Sequence, residues 1–70
     1  MYNLIGFMQK AHLIDISKVY SQHEKDFMLT VLMTEMEGMY KIPMFKNAEW
    51  EKHNQDVIKV YKFISNLRKL

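Results

Sequence analysis

The sequence predicts an all-α domain of three helices, and three features of it carry that expectation. Only two Gly and one Pro interrupt 70 residues, so turns are few and the elements between them long. The apolar residues recur at helical rather than alternating spacing. The 49% hydrophobic fraction, with four Phe, four Tyr and one Trp, is that of a folded globule and not of a disordered chain. Residues 1–70 make one domain. A core this small supplies about 3–5 kcal/mol unless it is stapled or shared. With no Cys, neither a disulfide nor a thiolate metal site is available as the staple. Tight helix packing remains, or dimerisation that completes the core.

The first helix is expected over residues 3–12, with Leu4, Ile5, Met8, Ala11 and His12 on its inner face. Gly6 weakens it by about 1 kcal/mol relative to Ala. Leu13 and Ile14 then point away from that face, so a turn is placed at Leu13–Asp15, with Asp15 as a possible N-cap.

The second helix is the expected centre. Met28, Leu32, Met36 and Met39 share one side, Phe27 and Val31 an adjacent flank, and Leu29 and Met33 the other. Only His23, Asp26, Thr30, Thr34 and Glu37 form a polar strip. A helix apolar over more than half its circumference is covered from two directions. Its start is bracketed between Ile16 and Gln22. Ser21-x-x-Glu24 matches a capping box, while Ile16, Val19, Tyr20, His23, Phe27 and Val31 form a continuous stripe that would begin it earlier. Its end is expected near Gly38, the residue best suited to a left-handed cap.

Residues 41–46 form a connector, because Pro43 keeps Ile42 out of the helical region. Asn47 caps a third helix over residues 48–68, with Glu49 and Glu51 at the positive end of its dipole. Trp50, Val57, Tyr61 and Ile64 make its buried stripe, with Val60 and Leu67 at one margin.

Function is read mostly by exclusion. No Cys is present and no Ser lies in a Gly-rich elbow, so a nucleophile held against a base has no motif to rest on. Glu35 and Glu37 diverge on a helix, as do Glu49 and Glu51. With Gly6 and Gly38 the only glycines, no phosphate loop exists. No enzyme, catalytic residue or cofactor is expected. His12, His23 and His53 lack the spacing of a helical zinc pair, and no metal site is assigned to them. Met33, Met36 and Met39 repeat at i, i+3, i+6, a soft-donor spacing that suits Cu(I), but core packing explains thioethers on a buried face better.

Two surfaces remain. The chain carries a formal charge of +2, unevenly spread: residues 24–40 hold one base against four acids, and residues 41–70 seven bases against three acids. Lys59, Lys62, Arg68 and Lys69 would serve a nucleic-acid-binding accessory protein, although Glu49 and Glu51 at the head of that helix would repel phosphates. The leading expectation lies elsewhere. Met39, Tyr40, Ile42, Met44 and Phe45 of the connector, with Phe63 and Ile58, are left over once three stripes are assigned. Either the loop folds back to plug one end of the core, or these residues form a partner-binding or self-association patch, for which Met and aromatic residues are well suited. The expected function is therefore a small non-enzymatic interaction protein, either a homodimer or a regulator docking on a larger protein. The apolar runs are too short to span a membrane and Met1–Met8 lacks a basic lead, so the expected location is cytoplasmic.

Overall fold

The computed structural model describes residues 3–69. Of these, 76% are helical, against a globular average of about one third, and none lies in a strand. The all-α expectation holds. Among the described residues the helices are α1 (Leu4–Ile16), α2 (Gln22–Tyr40), α3 (Ala48–His53) and α4 (Gln55–Leu67), four where three were expected.

The Asn3 side chain accepts the Gly6 N–H at 2.7 Å and starts α1. The helix does not stop at residue 12 but runs on to Ile16. Its buried face is Phe7, Ala11 and Ile14, the i, i+4, i+7 positions, with Leu4 half-buried. A face centred on Ile5 and Met8 instead leaves Leu13 and Ile14 pointing away from the core. Both Ile5 and Met8 are exposed. Asp15 caps nothing. Its carbonyl instead accepts the Lys25 ammonium of α2 at 2.9 Å, a cation at the negative end of the α1 dipole.

The capping box decides where α2 begins. Ser21 Oγ accepts the Glu24 N–H at 3.2 Å, and Glu24 Oε1 accepts the Ser21 N–H at 2.9 Å. Two backbone donors satisfied at once outweigh continuing the stripe back to Ile16. The helix passes through Gly38 and ends at Tyr40, with the left-handed cap at Lys41 (φ 57°, ψ 43°). The N–H groups of Lys41 and Ile42 both reach the Glu37 carbonyl.

Asn47 Oδ1 accepts the Trp50 N–H at 3.0 Å, as expected for a cap. The expected single helix of residues 48–68 is broken at Asn54 (φ −136°), which separates α3 from α4. Asn54 Nδ2 donates to the Trp50 carbonyl at 2.8 Å, so this side chain closes α3 by the local backbone competition typical of Asn.

The core joins Phe7, Ala11 and Ile14 of α1, Leu29, Leu32, Met33 and Met36 of α2, and Val57, Val60 and Ile64 of α4. α2 supplies the most buried residues and meets both α1 and α4, while α4 is the helix that touches all three others. Val60 belongs to the core, whereas Trp50 and Tyr61 are half-buried. The covering of α2 is not complete: its Phe27–Val31 flank stays bare. No helix of the described residues is long and apolar enough to cross a membrane.

Candidate functional site

The seam between α2 and α4 accounts for the most concentrated polar chemistry. Asp26 is only 8% exposed although it lies on the polar strip of α2. Its Oδ1 accepts the Lys69 backbone N–H at 2.9 Å and Gln22 Nε2 at 2.8 Å. Those bonds, the Lys69 one above all, hold its carboxyl below the usual carboxylate range. Arg68 donates to Thr30 Oγ1 at 3.0 Å and to Ser65 Oγ at 3.4 Å. At the opposite end of the seam the Tyr61 hydroxyl donates to Glu37 Oε2 at 2.5 Å. Burial, then this carboxylate, pushes the Tyr61 hydroxyl up to about 12. These groups bond to one another across two helices and hold the bundle together.

That arrangement changes the standing of the four cations. The guanidinium of Arg68 is turned onto Thr30 and Ser65, and the backbone of Lys69 is tied to Asp26. Lys62 pairs with Glu51 at 3.7 Å. Lys59 is exposed on α4. The structure does not gather these four side chains into one free basic face.

The six partner-patch residues separate into three places. Met44 and Phe45 stand out at 91% and 81% exposure. With Ile42, Trp50, Ile58 and Tyr61 they line a shallow cup of about 150 Å³ where the connector crosses α3 and α4. Met39 and Tyr40 pack against the core, and the Tyr40 ring meets Phe7 edge-on at 6.2 Å. Phe63 also packs against the core and faces Met8 and His12 of α1 across a separate depression.

Sequence reasoning missed a second apolar surface. Lys10 and Ile14 of α1 and Phe27, Met28, Val31, Leu32 and Glu35 of α2 line a groove of about 280 Å³. Phe27 is 68% exposed. The signal was present in the sequence, since Phe27 and Val31 form their own flank of α2. A helix apolar on both flanks does not itself show which flank its neighbours cover.

No family model, curated protein or solved structure matches this chain. Functional inference therefore rests on its own surfaces. The three histidines sit exposed on α1, α2 and α3. Among the described residues no group of three or more His, Cys, Asp or Glu side chains is placed to hold a metal ion. Met33 and Met36 are buried in the core, and Met39 packs against it.

Proposed function

We propose that this is a small non-enzymatic interaction protein that docks on a larger protein through the tip of its connector. One observation carries the reading. Met44 and Phe45 are large, adjacent and exposed, and with Ile42, Trp50 and Ile58 they line a cup whose rim also carries Lys46, Asn47 and Glu51. A flexible thioether and an aromatic ring next to a concavity are the elements from which interface hot spots are made. Two residues at a loop tip suit insertion into a partner's pocket better than they suit a broad self-contact. The absence of Cys fits a reducing compartment, and the proposed location is the cytoplasm.

The nucleic-acid alternative has less to draw on. Arg68 and Lys62 already have acceptors within the chain, which leaves Lys59 and the Lys69 side chain for phosphates.

The test replaces Met44→Asp together with Phe45→Asp. The variant is expected to keep its helical circular dichroism and its melting temperature. Parent and variant are then compared side by side in affinity capture at low and high salt. A protein retained by the parent at high salt and lost by the variant supports the reading, because phosphate contacts weaken steeply with salt and apolar ones do not. Unfolding of the variant would show instead that the connector plugs the core.

A further inference from the structure

Among the described residues, ten apolar side chains fill the core and ten large apolar side chains stand exposed. Eight of the ten exposed ones fall between residues 5 and 31, on α1, the link after it and the first half of α2.

Of these eight, Phe27 and Val31 line the groove between α1 and α2, whereas Ile5 and Met8 stand in depressions beside α4. Ile14 and Leu32 belong to both the groove and the core, and Phe27 and Val31 stand exposed along its α2 wall. Lys10 on the α1 wall and Glu35 on the α2 wall are both exposed, and neither has an ion-pair partner among the described residues.

We infer that two copies of the chain join through this groove about a two-fold axis running along it. Such an axis lays the α1 wall of one copy over the α2 wall of the other. Phe27 and Val31 of each copy then enter the groove of its mate, and Lys10 of each faces Glu35 of the other. One cation and one anion on opposite walls are what a self-complementary contact requires, since every pair across it occurs twice. The same pair gives a phosphate backbone, an anionic lipid surface or a highly charged peptide no net attraction. The contact rests on the reading of this chain as an interaction protein but uses a surface apart from the connector, leaving Met44 and Phe45 free on both copies.

Sedimentation equilibrium of the full chain, from low to high micromolar concentration, is the test. The parent is expected to shift from monomer to dimer across that range. Phe27→Asp with Val31→Asp should remain monomeric while keeping the helical spectrum. Lys10→Glu alone and Glu35→Lys alone should each weaken self-association roughly tenfold, because symmetry turns two exposed attractions into two repulsions. Combining the two swaps should restore it. If the Asp variant unfolds, the three charge variants decide. A parent that stays monomeric, a dimer that survives the Phe27 and Val31 changes, or a combined swap that fails to recover would overturn the inference. The Met44→Asp, Phe45→Asp variant separates the two proposals. It should still dimerise, so loss of partner capture with an intact dimer speaks to the connector, and loss of the dimer in that variant speaks against the groove.

Discussion

Gly38 lies inside α2 with nothing within 4 Å of where a Cβ would stand, while Lys41 holds the left-handed turn that glycine tolerates best. Each residue is suited to the other's backbone. Gly38→Ala removes excess freedom from the unfolded chain and should stabilise the protein by about 1 kcal/mol. Lys41→Gly relieves a left-handed side-chain clash and should add a similar amount, about 1 kcal/mol. A urea titration of the two variants and their combination checks both, and a loss at either position would show that the helix end is held by something other than its backbone. The sequence pointed to Gly38 as the helix end because local chemistry favours it. What carries the helix further is tertiary: Met39 and Tyr40 pack against the core, and Tyr40 meets Phe7, more than thirty residues earlier in the chain. Asp26 is a similar case. Its place on the polar strip was legible, but its burial was not, since that depends on Arg68 and Lys69 arriving from the far end of α4.

Between elements, α2 and α4 run antiparallel and are pinned at both ends, by Asp26 with Lys69 and by Glu37 with Tyr61. The two pins titrate in opposite directions. Asp26 is held below its ordinary value, so its contribution is complete above about pH 4 and is lost as pH falls through the lower folded value. Tyr61 is raised to about 12. Its contribution is complete below about pH 10 and is lost as pH rises from there through the folded value. Stability should therefore be flat between these limits and fall on both sides. Asp26→Asn should flatten the acid limb and Tyr61→Phe the alkaline limb. Glu24 is also held low by its capping box, so Glu24→Gln measures the part of the acid limb that belongs to the start of α2. Thermal melts across pH read all three, and an acid limb unchanged in Asp26→Asn would show that the Lys69 contact contributes nothing to stability. Element boundaries were legible where side chains cap locally, at Ser21 and Asn47. They were missed at Ile14, where a one-position rotation of the stripe hid that α1 continues, and at Asn54, where a helical pattern runs straight through a residue that ends α3.

At the scale of the molecule, the class was readable because few breakers and a helical period leave little alternative. Which faces meet was not, because that depends on how three helices cross. α2 is apolar on two flanks, and nothing in its own sequence says that α1 and α4 crowd one side and leave Phe27 and Val31 outside. Of the six residues without a place in a stripe, Met44 and Phe45 are exposed, whereas Met39, Tyr40, Ile42 and Phe63 pack against the core, a tertiary outcome that their spacing does not show. The break at Asn54 has a dynamic consequence. α3 buries none of its residues completely, touches only α4 among the helices, and at six residues is far too short to persist alone. Residues 41–54 should therefore open as a separate unit, at a free-energy cost well below that of the bundle. In native-state hydrogen exchange, the amides of α3 should exchange much faster than those of Leu29 to Met36, whose protection should match global stability. Equal protection in both regions would show that α3 is held as firmly as the core. With unequal protection, a ligand seated on Met44 and Phe45 would slow exchange in a stretch of the chain that the core itself leaves loose.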